Sequence, residues 1–109
     1  MATIEDFQKL DIRMGTVIEA EAFPEARTPA IKLKINFGEL GIKQSSAQIT
    51  TRYTPEKMVG RQVAAVVNFP PMRIAGYRSE VLVLGGVPSE GDVVLLAPDE
   101  LVPDGTVIS

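Results

Sequence analysis

The chain has 109 residues, of which 45% are hydrophobic and 23% charged, so its composition predicts a folded domain rather than disorder. It contains no histidine and no cysteine, which excludes zinc sites built on those ligands, Ser-His-Asp groups and Cys-His groups. The net charge of -3 does not favour a strong nucleic-acid binder. We therefore expect no metal, no cofactor and no enzymatic activity. Because the chain has neither a membrane-length apolar run nor a signal peptide, we expect a cytoplasmic protein without membrane insertion.

The basic residues are unevenly distributed. All 11 lysines and arginines lie within residues 9–78, and every charged residue after that point is acidic. This distribution allows a modest basic patch, but it does not predict a surface that grips duplex nucleic acid.

The two ends of the chain are apolar. At the N-terminus Thr3 and Asp6 match a capping box, and apolar residues recur at a spacing of three over one or two helical turns. The tail is apolar as well. A domain this small leaves such flanking segments uncovered, so we expect a homodimer whose interface includes Ile4, Phe7, Leu10, Leu101, Val102 and Val107.

Between these ends, apolar and polar residues alternate with the period of β-strands. The pattern predicts a long first strand with a bend or bulge at Gly15, and a buried fourth strand. Thr54 as N-cap and Pro55 at the first helical position predict a short helix over residues 55–59. The predicted strands cover residues 12–22, 31–37, 42–49, 62–68, 80–84, 93–96 and 106–108, with a turn at 38–41.

This order of elements is that of the OB-fold, an all-β, five-stranded Greek-key barrel with a short helix between strands three and four. A long, bent first strand fits, because that strand must serve both sheets of the barrel. A small β-sandwich would give similar strands, but the well-capped helix counts against it. We predict one such domain over residues 1–109.

The segment Asn68–Glu80, with the sequence NFPPMRIAGYRSE, is the most unusual part of the chain. Two prolines stiffen a loop in which Phe, Met, Ile and Tyr stand beside charged residues, whereas ordinary connectors are shorter and more polar. One interpretation is a recognition loop that binds a peptide or stacks on bases. The alternative is a loop whose apolar groups pack onto the barrel or a partner subunit.

Two polar faces accompany the second and third strands. Lys32, Lys34 and Lys43, with Arg52 beyond them, form either a basic binding face or the solvated side of an amphipathic hairpin. The polar run Gln44–Gln48 either presents hydroxyls and amides to a ligand or satisfies the backbone. Asp11 and Arg13 favour a structural ion pair.

Short motifs follow one another in order over residues 7–105. They are Phe7 with Asp11-Ile12-Arg13-x-Gly15, Lys32-Leu33, Ser46-x-x-Ile49, Gly60-Arg61, Asn68-Phe69-x-Pro71, Arg73-Ile74-x-Gly76 and Ser79-Glu80. With them the chain resembles the tRNA-binding-domain family, an OB-fold module appended to bacterial methionyl-tRNA synthetases and present in related cytokine-like tRNA cofactors. Two departures, the longer segment Ala26–Leu33 and Val81-Leu82 in place of Gly-Met, resemble the stand-alone, chaperone-like export factors of that family.

The resemblance to those export factors implies a homodimer that uses residues 3–10 and the tail around 102–108. It also implies binding of unfolded precursor proteins or peptides, and contact with a SecA-type export motor. The wider family implies that the same face binds structured tRNA. We expect either ligand at Lys32, Ser46, Gln48, Asn68, Phe69, Pro70, Arg73, Ile74, Arg78, Ser79 and Glu80, with Phe69, Pro70 and Ile74 forming an apolar pocket.

Overall fold

The computed structural model describes residues 1–109, which form two short α-helices and nine β-strands. The helices are α1 (Ile4–Gln8) and α2 (Pro55–Met58). The strands are β1 (Ile12–Ala22), β2 (Ile31–Asn36), β3 (Ile42–Ala47), β4 (Gln62–Val66), β5 (Met72–Ile74), β6 (Tyr77–Ser79), β7 (Leu82–Val83), β8 (Gly85–Ser89) and β9 (Asp92–Leu95). Neither helix has the length and apolarity needed to span a membrane.

Five strands form a nearly closed antiparallel barrel in the order β3-β2-β1-β4-β7. The segment before β7 returns to the free edge of β3, where the Glu80 amide donates to the Gln44 carbonyl at 2.8 Å. The buried Ser45 hydroxyl donates to the Val81 carbonyl at 2.9 Å on the same edge. The predicted all-β OB-fold barrel, with its short helix between the third and fourth strands, is confirmed.

The barrel core follows the predicted alternation. Ile31, Leu33 and Ile35 of β2 are at most 1% exposed, whereas the lysines between them face outward. Met58 of α2 is fully buried in the same cluster, so the helix contributes a side chain to the core. The other members are Val17, Phe37, Ile49, Val63, Ala65 and Val81.

Strand β4 is buried on both faces, as its apolar run predicts. Val63 and Ala65 point into the barrel core. Ala64 and Val66 are equally buried but lie on the outside, where they are paired with Met14 and Ile12 of β1. This outer apolar face needs a cover of its own.

The cover is the C-terminal segment Val102–Ile108, which we call the strap. The Gly105 amide donates to the Met14 carbonyl at 2.7 Å, and the Ile108 amide donates to the Ile12 carbonyl at 2.9 Å. The Gln62 side chain bonds both backbone groups of Val102, donating at 2.7 Å and accepting at 3.0 Å. The predicted strand over 106–108 is therefore reduced to one bridge between Arg13 and Val107.

The segment Asn68–Glu80 is not only a loop. Strands β5 and β6 form a hairpin within it, with Ile74 paired to Tyr77, and its turn residues Ala75 and Gly76 have φ angles of 47° and 82°. Positive φ at both central residues is typical of the tight type I′ turn. The interpretation of the whole segment as an irregular loop is corrected accordingly.

Two further expectations about strands are corrected. The predicted strand 80–84 is shortened to Leu82–Val83, and Gly85–Ser89 forms β8, which pairs with β9. Gly15 produces no bulge, since β1 pairs with β4 without interruption from Ile12 to Thr16, and the irregularity lies between Val17 and Glu19. Gly15 is needed for space, because a Cβ there would lie 2.7 Å from both the Ile35 and Phe37 side chains.

The local signals at the helix starts are confirmed in part. The Thr3 hydroxyl accepts from the Asp6 amide and the Asp6 carboxylate accepts from the Thr3 amide, which completes the capping box. Thr54 precedes Pro55 in extended conformation, but its side chain makes no capping hydrogen bond. The predicted ion pair between Asp11 and Arg13 is present, with 2.6 Å between Oδ1 and Nε.

Candidate functional site

An open groove lies between the loop after β1, the end of β3 and strand β5. Its volume is about 590 Å³. Hydroxyl and amide groups of Ser46 and Gln48 come from the end of β3, and Arg73 and Ile74 come from β5. The remaining lining residues are Ala26, Arg27, Thr28, Ala30, Met72 and Ala75. The groove therefore combines apolar surface with a few polar groups, the usual composition of a ligand site.

Tyr77 fixes the β5–β6 hairpin against the barrel. Its hydroxyl donates to the Leu33 carbonyl at 3.3 Å, and its ring packs edge-to-face on Phe23 with 5.5 Å between centroids. The Lys32 ammonium lies 4.7 Å from the centroid of Phe23 and 5.0 Å from that of Tyr77, within range of a cation–π interaction. Burial, with help from Glu21, raises the pKa of Tyr77, so its hydroxyl remains a neutral donor at physiological pH.

The edge of β3 beside the groove is satisfied by side chains as well as by backbone. The Ser46 amide donates to the Ser79 hydroxyl at 3.1 Å, and the Gln44 amide donates to the Glu80 carboxylate at 3.0 Å. The Gln44 side chain donates to the Arg78 carbonyl at 3.0 Å. These bonds hold β6 and Glu80 against the edge of β3, and β5, the other strand of the hairpin, lines the groove.

Four of the predicted site residues, Ser46, Gln48, Arg73 and Ile74, line the groove together. Lys32 lies next to them, opposite Ser46 in the β2–β3 register. Ser79 and Glu80 lie at the β3 edge, and Arg78 points outward, 3.9 Å from the Glu80 carboxylate.

The other predicted residues lie elsewhere. The Asn68 side chain accepts from the Asp11 amide and donates to the Lys9 carbonyl, both at 2.9 Å, so it joins the N-terminal segment to the end of β4. Phe69 and Pro70 are exposed and are not among the residues that line the groove. The apolar part of the groove is formed instead by Ile74 with Met72, Ala26 and Ala30.

Sequence reasoning missed Arg27 and Thr28 as lining residues. The signal was present, since the segment Ala26–Leu33 is longer than in the family pattern, but Lys32 was the one side chain within it that was assigned a role. Arg27 and Arg73 differ from most of the other basic residues because neither forms an ion pair. Ion pairs instead engage Lys9, Arg13, Lys32, Lys34, Arg52 and Arg78.

Much of the basic face on strands two and three is neutralised. Lys34 pairs with Glu19 at 3.3 Å and Lys32 with Glu21 at 3.9 Å, both across the β1–β2 register. Arg52 forms a two-fold hydrogen bond with Asp92 and thereby ties the loop before α2 to β9. These contacts favour the structural interpretation of that face.

A second candidate surface lies around the strap. Leu101 is 84% exposed and Val107 58%. They lie near a mostly apolar cavity of about 390 Å³ lined by Met14, Ala64, Leu96, Ala97, Pro98, Val102, Thr106, Val107 and Ile108. Phe7 and Leu10 of the N-terminal segment are each 37% exposed, and Ile4 is 69% exposed.

Comparison with known proteins identifies the family. Residues 12–107 match the family described as putative tRNA binding domain. This chain belongs to the tRNA-binding-domain family. The matched family is a binding domain rather than a catalytic one, and the resemblance drawn from the short motifs is confirmed.

Relatives in this family include parts of larger enzymes. The methionine–tRNA ligase of Methanococcoides burtonii is 36% identical over 108 residues, which cover 99% of this chain and 16% of the ligase. That of Methanothrix thermoacetophila is 41% identical over 101 residues, 93% of this chain and 14% of the ligase. The chain thus spans about a sixth of the length of these curated relatives.

Two solved structures match this chain along nearly their full length. The chaperone CsaA of Bacillus anthracis is 67% identical with a TM-score of 0.97, covering 100% of this chain and 99% of that one. The CsaA chaperone of Picrophilus torridus is 47% identical with a TM-score of 0.92, covering 100% of both chains. The resemblance to chaperone-like members of the family is thereby confirmed.

Proposed function

We propose that this protein is a homodimeric, chaperone-like binding protein that holds unfolded precursor proteins or peptides for export. The observation that carries the proposal is the open groove of about 590 Å³ between β3, β5 and the loop after β1. An unfolded chain offers apolar side chains and unpaired backbone groups. Ile74, Met72 and the alanines of the groove suit the former, and Ser46, Thr28 and Gln48 suit the latter.

The predicted residues contribute to this function in different ways. Ser46, Gln48, Arg73 and Ile74 contact the client directly. Lys32, Ser79 and Glu80 hold the hairpin and the β3 edge that shape the groove, and Arg78 adds a charge at its rim. The exposed Phe69 and Pro70 would extend the contact surface beyond the groove when a longer client is bound, and Asn68 anchors the start of their loop to the N-terminal segment.

Homodimerisation is the second part of the proposal. The apolar residues of the proposed interface lie in or near the segments that flank the barrel: the exposed Ile4, Phe7, Leu10, Leu101 and Val107 and the partly buried Val102. Burying them against a second copy would remove apolar surface from water, at about 25 cal/mol per Å². A stable monomer at micromolar concentration in analytical ultracentrifugation would contradict this part.

The similarity to the CsaA chaperones supports the chaperone part of the proposal. The role in export, with a SecA-type motor as partner and the cytoplasm as the place of action, is our extension of it from the sequence resemblance. The family match supports a second candidate function, recognition of structured tRNA by the same face. The net charge of -3 and the ion pairs on the basic face weigh against tight phosphate binding.

One titration separates the two functions. Binding of an unfolded, alkylated protein and of tRNA is measured over a range of salt concentrations. We expect the unfolded protein to bind, with affinity reduced by Arg73→Ala and Phe69→Ala. Sub-micromolar binding of tRNA with a steep salt dependence, and none of the unfolded protein, would contradict the chaperone function.

A further inference from the structure

Two unpaired arginines face the same groove. Arg27 comes from the loop after β1 and Arg73 from β5, and both side chains are exposed. Arg73 donates to the Gly76 carbonyl of its own turn at 3.3 Å, which leaves most of its donors free. A guanidinium prefers a carboxylate or phosphate partner, and this chain supplies none to either arginine.

A second, smaller cavity continues the groove on the other side of the β3 end. Its volume is about 280 Å³, and it shares Ser46 and Gln48 with the groove. The remaining lining is entirely apolar, formed by Ala47, Ile49, Leu82, Val83 and Val93. The two cavities together form a surface with a cationic end, polar groups in the middle and an apolar end.

We propose that this surface selects extended polypeptide segments in which an acidic residue lies close to an aliphatic one. The carboxylate is bound by Arg27 and Arg73, and the aliphatic side chain contacts Leu82, Val83 and Val93. Ser46 and Gln48 lie between them and bond the client backbone. Because the two cavities share Ser46 and Gln48, we place the acidic and the aliphatic residue close together in the client, with one residue between them. This inference rests on the proposed function and names the client class of the same groove.

The lining favours a polypeptide over single-stranded RNA. Single-stranded nucleic acids are recognised largely by stacking of bases on aromatic side chains, and no aromatic residue lines either cavity. A phosphodiester backbone would use the arginines but would gain nothing from Leu82, Val83 and Val93.

The test uses three fluorescein-labelled nine-residue peptides that differ at two central positions: Asp-Ser-Leu, Asn-Ser-Leu and Asp-Ser-Ser. Binding to the full-length protein is measured by fluorescence anisotropy at low and high salt. We expect the Asn peptide to bind about tenfold more weakly than the Asp peptide at low salt, because it loses a charge-assisted contact. That ratio shrinks at high salt, where exposed charges are screened. The Asp-Ser-Ser peptide binds about fivefold more weakly at both salt concentrations.

Matched variants locate the two contacts. Arg27→Gln and Arg73→Gln should each reduce the ratio of affinities for the Asp and Asn peptides to about threefold or less, since each removes one of the two guanidinium groups. Lys57→Gln removes an exposed charge outside the groove and should leave the ratio unchanged. Leu82→Ser should abolish the preference for Leu. Val87→Ser should not, because Val87 is also an exposed β-strand residue but lies outside the cavity.

The outcomes distinguish this inference from the proposed function. If the Asp and Asn peptides bind equally well while an unfolded protein is still held, the acidic selection is refuted and the chaperone function stands. If neither the peptides nor the unfolded protein bind, both fail. If single-stranded RNA binds in an Arg27-dependent manner and the peptides do not, the groove is an RNA site and the inference is overturned.

Discussion

Two sides of the outer surface of the barrel differ in whether another segment of the chain covers them. Outside β1 and β4, the apolar residues Ile12, Met14, Ala64 and Val66 are covered by the strap, and the polar groups of the strap are bonded to the barrel. Outside the end of β3, strand β6 of the hairpin is bonded to the β3 edge and to Leu33, and strand β5 lines the groove. The first side is covered by the chain itself except at the apolar cavity beside the strap, and the second is open as a groove.

The polar side chains of the two sides differ in the same way. On the strap side, Gln62 satisfies both backbone groups of Val102, and Thr16 donates to Asp104. On the groove side, the Gln48 side chain forms no hydrogen bond within the protein, and Arg27 and Arg73 have no carboxylate partner. The polar groups of the strap side are therefore paired within the fold, whereas Gln48, Arg27 and Arg73 remain available to a ligand in the groove.

The largest expected effect is a loss of stability on substituting a glycine, and it can be compared between one glycine on each side. Gly105 of the strap and Gly76 of the hairpin both have positive φ, at 89° and 82°. A Cβ at Gly105 would lie 2.5 Å from the Phe37 carbonyl oxygen, whereas one at Gly76 meets nothing within 4 Å. We expect Gly76→Ala to cost about 1 kcal/mol from backbone strain and Gly105→Ala about 3 kcal/mol, because overpacking is added.

Urea unfolding followed by circular dichroism measures both changes. Gly76→Ala serves as the control for backbone strain, so the difference between the variants reports the close packing of the strap. Equal losses of stability would show that the strap is not held tightly against Phe37.

The second comparison uses two glutamines. Gln62→Ala removes two hydrogen bonds to Val102, and we expect the free energy of unfolding to fall by about 2 kcal/mol. Gln48→Ala removes none, so its stability should stay within about 0.5 kcal/mol of the parent, while its affinity for an unfolded client falls. Calorimetry measures the stability and the client affinity of each variant separately. A stability loss for Gln48→Ala as large as that for Gln62→Ala would show that Gln48 also stabilises the fold.

The smallest effect depends on pH. The hydrogen bond from Arg52 lowers the pKa of Asp92 from its ordinary value of 3.8. A carboxylate whose pKa is lower in the folded than in the unfolded state stabilises the protein at pH values above the unfolded pKa. This stabilisation is lost as the pH falls through the folded pKa. The stability difference between the parent and Asp92→Asn should therefore be constant near neutral pH and narrow below pH 3.8.

Thermal unfolding of both proteins between pH 2 and 7 checks this expectation. Asp99→Asn, an exposed carboxylate without an ion pair, is the matched control and should show no such narrowing. A difference that stays constant into strong acid would show that the contact with Arg52 does not favour the charged carboxylate.

The barrel was predictable because burial imposes a period of two on its strands. The alternation from Ile31 to Phe37 places every second side chain in the core, and the capping box at Thr3 is a local signal that needs no tertiary context. The hairpin was less accessible, since Ala75 adopts positive φ without the usual Asn or Gly to announce it. Strand β8 was missed because Gly85, Gly86 and Pro88 are residues that strands generally avoid.

The candidate site was only partly predictable for a related reason. Ser46, Arg73 and Ile74 were found because they belong to motifs, and Gln48 because it lies in a polar run. Their joint position depends on the hairpin folding back toward β3. Arg27 lies in a loop whose conformation no periodicity encodes. The sequence suggested that Asn68 contacts a ligand. Its side-chain amide instead bonds the backbone of residues 9 and 11, and this contact could not be predicted because those residues are distant from Asn68 in the sequence.

The central claim is that unfolded polypeptide binds on the open side of the barrel and not on the strapped side. Amide chemical shifts of ¹⁵N-labelled protein, titrated with an unfolded, alkylated protein, test this most directly. We expect the largest shifts at Arg27, Ser46, Gln48 and Met72–Ala75, with residues 102–108 unchanged. Shifts concentrated at residues 102–108, with none in the groove, would contradict the account.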